Sequence, residues 1–324
     1  MTHRNTFAVL AALPVAVFCL SPLWSRHGGI LPGEGIPPAD PNLNRAMPAC
    51  GGCHAPTPGM GGVDVDVALS ARSLMAGQSI TVTTSASGGQ TASTNGGFSS
   101  EVTAGAFSAG VNSRVGLAGL GITHQSSFTA VRAWTYGYTA PTTPGPVLMY
   151  ATSNTVNGDI LPGPEDWWAF HGGDGLEQVP TPVRLFVNAA RVTSVGDSCV
   201  GSWENVPVLG IREAPDAGNA NFAIELIGAA PLSPVVLMIG TPFPPIDLGF
   251  MGLTGCTLHT NPVVTINSAT GGGNPKFAEG AARIALPLAS GLRASVRVQA
   301  AFFDSGAPRP LSMTVTNALD VVIR

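Results

Sequence analysis

The sequence predicts an all-β protein of two antiparallel β-sandwich domains, immunoglobulin-like in kind, preceded by an irregular segment. Val, Thr, Gly and Pro are abundant, with 41 Gly and 28 Pro in 324 residues, whereas the helix formers Lys, Glu and Gln are scarce. Short alternating segments recur along the chain and are separated by Gly- and Pro-rich turns. The hydrophobic fraction of 44% is enough to bury a sizeable core, so a disordered chain is excluded.

The charge content argues against a partner that is a nucleic acid. Only 10% of the residues are charged and the net charge is −4, so no basic field is available to attract phosphates. The charges also form no long run of one sign, which excludes an electrostatic tail.

Residues 1–25 are typical of a signal peptide. His3 and Arg4 give a short basic start, and the apolar run from Phe7 to Leu20 has the length of a signal-peptide core. That run is too short for a transmembrane helix, although a membrane anchor is the alternative. No second long apolar stretch follows. The mature protein is therefore expected in the periplasm, at the cell surface or outside the cell, without a membrane span.

Four segments are expected after the signal peptide. Residues 26–62 form the irregular segment, 63–175 the first sandwich, 176–189 a linker or first strand, and 190–324 a second, disulfide-pinned sandwich. Asn154–Phe170 is expected to be a long loop. Strands are expected at Val63–Leu69, Ser79–Thr84, Val131–Thr139, Val147–Thr152, Val183–Ser194, Asn221–Ile227, Val235–Ile239, Thr257–Thr260, Val263–Ile266, Ala282–Leu286, Ala294–Phe302 and Ser312–Ile323.

The strongest chemical motif lies in the irregular segment. Cys50, Cys53 and His54 form C-x-x-C-H, the attachment signature of c-type haem. Two thiols at this spacing add across two vinyl groups of the porphyrin, and the adjacent histidine binds the iron as proximal ligand. The sequence therefore predicts one covalent haem c on these three residues. A local disulfide, a redox-active thiol pair and half of a zinc site are the alternatives.

Two further cysteines are expected to form a structural disulfide. Cys199 and Cys256 are each preceded by small and turn-forming residues, and both lie in the predicted second sandwich. In an exported β-domain, a pair of this kind is by default oxidised. The bond would close a long loop and stabilise the domain by a few kcal/mol, on the order given by loop-closure entropy.

Four motifs follow one another in order along the first half of the chain. They are Cys50–His54, Thr123-His124, the aromatic strand Trp134–Pro141 and the turn Asn157–Asp159. Over roughly residues 46–171, this order resembles the Reeler-like family called choice-of-anchor V. The resemblance implies an immunoglobulin-like β-sandwich at the cell surface or in the secreted fraction, and it implies no proven activity.

The second half carries a different pattern from Gly196 to Leu209, which reads GDSCVGSWENVPVL. It is followed later by Gly255-Cys256-Thr257-Leu258 and by a terminal strand with Thr316-Asn317-Ala318-Leu319. Over roughly residues 190–324, it resembles a C-terminal module of large secreted proteins from planctomycete-like and related bacteria. Ser198 and Glu204 stand where that module has glycines. The resemblance implies a disulfide-pinned β-sandwich with a structural or surface-association role.

The ligand opposite His54 on the iron is not set by the motif. A second histidine would give a low-potential centre, whereas a methionine would raise the potential. We expect His124, because it occupies the Thr-His position of the resembled family; the alternative is a strand-end histidine bonded to a backbone carbonyl. The full set of candidates is Met47, Met60, His124, His171 and His27.

The leading hypothesis is an exported protein that uses one haem c for electron transfer or redox sensing with an unidentified redox partner. The alternative is a non-redox structural or adhesion protein that binds surface polymers, with Cys50 and Cys53 in a disulfide. A haem enzyme such as a peroxidase would need a distal acid–base residue that the sequence does not reveal. The G-x-S-x-G, H-E-x-x-H, Walker A and EF-hand motifs are absent, so we expect an electron carrier or a binding module rather than a hydrolase.

Overall fold

The computed structural model describes residues 59–126, 130–159, 163–172, 181–274 and 278–324, and these form an all-β structure as predicted. The only helices in these ranges are 3₁₀ turns of three residues, none of which is long and apolar enough to cross a membrane. The strands of the first half are β1 (Asp64–Leu69), β2 (Ser73–Met75), β3 (Ser79–Ser87), β4 (Gly96–Val102), β5 (Ala106–Ser108), β6 (Ser113–Gly116), β7 (Gly121–His124), β8 (Ala133–Thr139), β9 (Gly145–Thr155), β10 (Trp167–Phe170) and β11 (Val183–Asn188). Those of the second half are β12 (Val192–Val195), β13 (Val208–Gly210), β14 (Ala223–Ala229), β15 (Pro234–Asp247), β16 (Thr257–Ala269), β17 (Gly280–Ala285), β18 (Ala294–Phe303) and β19 (Met313–Ile323).

The first sandwich packs a four-stranded sheet, β1-β3-β8-β5, against a seven-stranded sheet, β2-β11-β9-β4-β7-β6, in which β10 also pairs with β9. Strands β1, β3 and β8 bury every second residue, because successive side chains of a strand point to opposite faces. In the shared core, the Phe98 ring stacks on Trp134 and Tyr136, with centroids 4.8 and 5.4 Å apart. The buried Tyr136 hydroxyl forms hydrogen bonds with Ser100 and Thr84, so its hydrogen-bonding capacity is satisfied within the core.

The second sandwich packs a five-stranded sheet, β12-β19-β18-β15-β16, against a three-stranded sheet, β13-β14-β17. Its core is mainly aliphatic, and Leu209, Ile224, Leu237 and Leu319 are at most 1% exposed. β19 lies between β12 and β18, whereas β16 is an edge strand. The last described strand is therefore an interior element of this sheet.

The expected single strand Val183–Ser194 is two strands, one in each sandwich. β11 pairs antiparallel with β9 and parallel with β2 in the first sandwich, and β12 pairs with β19 in the second. The chain turns between them at Arg191, whose φ of 68° lies in the left-handed region. The turn explains why the alternating pattern on either side does not form one continuous strand.

The two sandwiches meet where β11 approaches β13. Phe186 is fully buried and covers Gly210, where a Cβ atom would lie 2.0 Å from its ring. Next to it, the Asn188 amide is 1% exposed; its Nδ2 donates to Ser73 Oγ at 2.8 Å, and its Oδ1 accepts from the Ile211 amide at 3.0 Å. Because the bond from the Ile211 amide crosses from the second sandwich to Asn188 of the first, this side chain stabilises the contact between the sandwiches.

Candidate functional site

Most residues of the predicted haem site lie outside the described residues. These are Cys50, Cys53 and His54, together with the alternative ligands Met47 and His27. Within the described ranges, no group of three or more His, Cys, Asp or Glu side chains is placed to hold a metal ion. The haem prediction therefore remains a prediction, and the test available in the structure is the fit of His124.

His124 is the last residue of β7 and is half-buried. Its Nδ1 lies 3.1 Å from both the amide nitrogen and the carbonyl oxygen of Phe98 in β4, and its ring covers Gly97. This is the strand-end histidine that the sequence offers as the alternative to an iron ligand. It also fits a ligand role, because metal-binding histidines commonly anchor their other ring nitrogen on a backbone carbonyl.

Cys199 and Cys256 form the predicted disulfide, with a sequence separation of 57 residues and Cα atoms 4.8 Å apart. Both residues are buried in a small apolar cluster with Leu248, Leu253 and Val315. The bond ties the chain after β12 to the chain before β16. Disulfides form and persist mainly in oxidising compartments, so this one agrees with an exported protein.

A cleft of about 320 Å³ opens between the two sandwiches, and we call it the junction cleft. It lies beside the contact between β11 and β13, and residues of both sandwiches line it. Its polar side chains are Asp66, Arg72, His171, Arg184, Glu204 and Asn205. The first four come from the first sandwich, and the last two from the 3₁₀ turn and loop that precede β13.

Arg72 is the most unusual side chain of the junction cleft. It is half-buried, and its guanidinium makes no hydrogen bond or ion pair within the part of the chain that the structure describes. Burial lowers the pKa of Arg72 to about 10, although the negative charges of Asp66 and Asp197 oppose that shift. A guanidinium that is partly removed from water without a hydrogen-bond acceptor or a carboxylate partner raises the free energy of the folded state.

Arg184 and His171 complete the basic lining. Arg184 is 7% exposed, and its Nη1 lies 3.4 Å from Asn205 Oδ1 of the second sandwich. Burial lowers the pKa of Arg184, and it lowers the pKa of His171, whose Nδ1 lies 2.9 Å from the Val65 carbonyl oxygen. At neutral pH the cleft thus holds two guanidinium charges beside a neutral imidazole. An oxyanion is the chemical complement of such a lining.

A second cavity, of about 520 Å³, lies beside β14 and β17 but has compensated charges. Arg212 is 2.9 Å from Glu225, and Arg283 is 2.7 Å from Glu213. Each cation of this cavity therefore already has a carboxylate partner, unlike Arg72.

The arginines of the junction cleft are absent from the sequence-based site. One signal could have pointed to Arg184, which is the only charged residue of β11. A charge inside a strand buried on both faces requires a partner or a function. Arg72 carries no comparable signal, because it follows a Ser-Ala pair in a turn between strands.

No protein-family model and no curated protein matches the chain. The resemblance to choice-of-anchor V therefore remains an expectation. Similar solved structures include the Reelin-N domain of F-spondin, at 16% identity and a TM-score of 0.28, covering 39% of this chain and 86% of that chain. A DUF4466 family protein from Parabacteroides merdae has 9% identity and a TM-score of 0.27, covering 80% of this chain and 98% of that chain. FdeC, an adhesin of Escherichia coli, has 13% identity and a TM-score of 0.21, covering 80% and 64%. Reeler domains are thus among the β structures that this chain is similar to, and TM-scores this low carry no information about its activity.

Proposed function

We propose that this chain is an exported, non-redox binding protein whose two sandwiches hold a surface polymer at the junction cleft. The observation that carries the proposal is the Arg72 guanidinium, which faces a cleft lined by both sandwiches and has no partner among the described residues. Keeping such a group half-buried costs free energy that a bound ligand would recover. Perturbed basic groups that converge in a cleft are a common mark of binding sites.

Export is supported by two independent features of the chain. The signal-peptide pattern of residues 1–25 is one, and the Cys199–Cys256 disulfide is the other. In this proposal, Cys50 and Cys53 form a local disulfide and carry no cofactor.

Native electrophoresis in gels that contain neutral or acidic polysaccharide tests the binding. The mature protein is expected to migrate more slowly in gels with dextran, dextran sulfate or alginate than in a plain gel. Equal mobility in all four gels would overturn the proposal.

A c-type cytochrome is the second candidate, and the C-x-x-C-H spacing favours it. Cys50 and Cys53 would anchor the haem, His54 would be the proximal ligand and His124 the distal one, with its Nδ1 oriented by Phe98. When bound, haem would supply one-electron transfer. The role of His124 would then be to hold the iron from the side of β7.

Haem staining of the denatured protein on a gel separates the two candidates. The chain is expressed with its signal peptide in a host that matures c-type cytochromes, beside a Cys50→Ala/Cys53→Ala variant. An unstained, exported and folded wild type supports the non-redox proposal. Staining that disappears in the double variant establishes covalent haem and replaces it.

A further inference from the structure

We propose that the junction cleft binds an oxyanionic group, namely a carboxylate, sulfate or phosphate, through Arg72 and Arg184. This inference rests on the proposed function and names the chemistry of the polymer group that enters the cleft. It is carried by the placement of the two arginine side chains in one cleft between the sandwiches.

Arg72 supplies the open donors. Its main chain is held in place, because the Arg72 carbonyl accepts the Phe186 amide at 2.9 Å where β11 begins to pair with β2. Its guanidinium, in contrast, has no acceptor among the described side chains or carbonyls. The planar fork of an arginine matches two oxygens of a carboxylate, sulfate or phosphate. A fixed backbone with unpaired donors is the arrangement of a preorganised anion site.

Arg184 adds a second positive charge on a rigid support. It is the second residue of β11, its aliphatic part packs beside Gly228 of the second sandwich, and its Nη1 is 3.4 Å from Asn205. Both side chains line the same cleft, and beside burial, which is the main cause, the charge of Arg184 contributes to the lowered pKa of Arg72. An anion placed between them would relieve the repulsion between the two charges.

The acidic groups of the cleft lie at its rim. Asp66 and Glu204 are exposed, and neither forms an ion pair with Arg72. The charge of Asp66 attracts Arg72 and opposes the lowering of its pKa by burial, although exposed carboxylates remain hydrated and their charges are screened. Two arginines and two carboxylates thus line the cleft, and Arg72 and Arg184 are the more buried of these four charges.

The size of the cleft limits the ligand. Its volume of about 320 Å³ is at the lower end of the range of small-molecule sites, which is about 300–1,000 Å³. A single sugar acid, a sulfated sugar or an inorganic oxyanion fits this volume, whereas a long polymer segment does not. A polymer would thus present one charged unit to the cleft.

Isothermal titration calorimetry on the full mature chain tests the inference. The titrants are glucuronate, sulfate and phosphate, with glucose as the neutral control. We expect saturable binding of at least one anion and none of glucose, and the three anions identify which oxyanion the cleft prefers. Arg72→Gln is expected to weaken binding by about tenfold or more, because a hydrogen-bonded charge pair is lost.

Two further variants control for charge and folding. Arg293→Gln removes the same charge at an exposed position away from the cleft and is expected to bind as the wild type does. Val200→Trp fills the mouth of the cleft without a change of charge, at a residue that is 40% exposed, and is expected to abolish binding even if Arg72→Gln does not fold. Circular dichroism and thermal melting establish that each variant is folded.

Each outcome decides the inference. It is overturned if no anion binds to the folded wild type, or if Arg72→Gln and Arg293→Gln lose affinity equally. Retardation by a neutral polysaccharide without anion binding would overturn the inference and leave the proposed function intact. A haem-stained wild type would instead overturn the proposed function, and calorimetry would still decide whether the cleft binds anions.

Discussion

Asn188→Ala is expected to lower the stability of the whole protein, because this amide joins the two sandwiches. The substitution removes three hydrogen bonds of a side chain that is 1% exposed, to Ser73 Oγ at 2.8 Å, to the Leu74 carbonyl at 3.3 Å and from the Ile211 amide at 3.0 Å. Each bond contributes about 1 kcal/mol net, and the stranded buried Ile211 amide adds about 1–2 kcal/mol. The free energy of unfolding should therefore fall by about 4 kcal/mol.

Urea unfolding monitored by tryptophan fluorescence measures this loss. Trp134 is 1% exposed in the core of the first sandwich and reports its unfolding. Asn261→Ala is the matched control, because Asn261 is exposed on the edge strand β16, and it should change the stability by less than about 0.5 kcal/mol. A loss below about 1 kcal/mol for Asn188→Ala, or a loss equal to that of the control, would refute the role assigned to the junction amide.

Three further substitutions test other parts of the fold. Gly210→Ala places a Cβ 2.0 Å from the Phe186 ring and should destabilise the protein by about 1–3 kcal/mol in urea unfolding, whereas an unchanged midpoint would mean that the ring can move. Replacing Cys199 and Cys256 together by Ala opens a loop with a separation of 57 residues and should cost about 4 kcal/mol, a loss that reductant should reproduce in the wild type and not in the variant. Burial lowers the pKa of His171 from 6.5, so the unfolded chain takes up a proton first as the pH falls. The melting temperature of the wild type should consequently drop between pH 7 and about pH 5, and the drop should be smaller in His171→Gln; identical profiles would contradict the buried neutral imidazole.

The strands that the sequence predicted best are those with one buried face. Val65 and Val67 of β1 alternate with exposed acids, and Trp134, Tyr136 and Tyr138 of β8 alternate with small or polar residues. Alternation of this kind follows directly from the pleat of a strand, so the strand can be recognised from the sequence without knowledge of its tertiary contacts. The disulfide was predictable for a similar reason, because only one cysteine pair lies in the second half of the sequence.

β4 was not predicted, since its pattern does not alternate. Its sequence runs from Gly96 to Val102, contains Ser99 and Ser100, and is buried on both faces. Gly97 is required by a contact with another strand, because the His124 ring occupies the space that a Cβ of Gly97 would need. β10 was also not predicted. It forms the last part of Asn154–Phe170, which was expected to be a loop, and it pairs with β9.

The junction cleft could not be predicted from sequence periodicity. Arg72 and Arg184 are more than a hundred residues apart, and they come together only because β2 and β11 pair in parallel. The opposite wall belongs to a loop that is placed by β13 and by the contact of Phe186 with Gly210. Parallel pairing and contacts between sandwiches leave little trace in a local pattern, so the site is visible only in three dimensions.

The interior position of β19 also sets the order in which the chain can fold. β12 has β19 as its neighbour in the sheet, so it finds no partner until Met313–Ile323 has been synthesised. β2 likewise waits for β11, and both closures join segments that are distant along the chain, which slows folding. A nascent chain therefore leaves this sheet incomplete until β19 is available. Such late closure would suit the export proposed for this chain, because the sheet stays open until then.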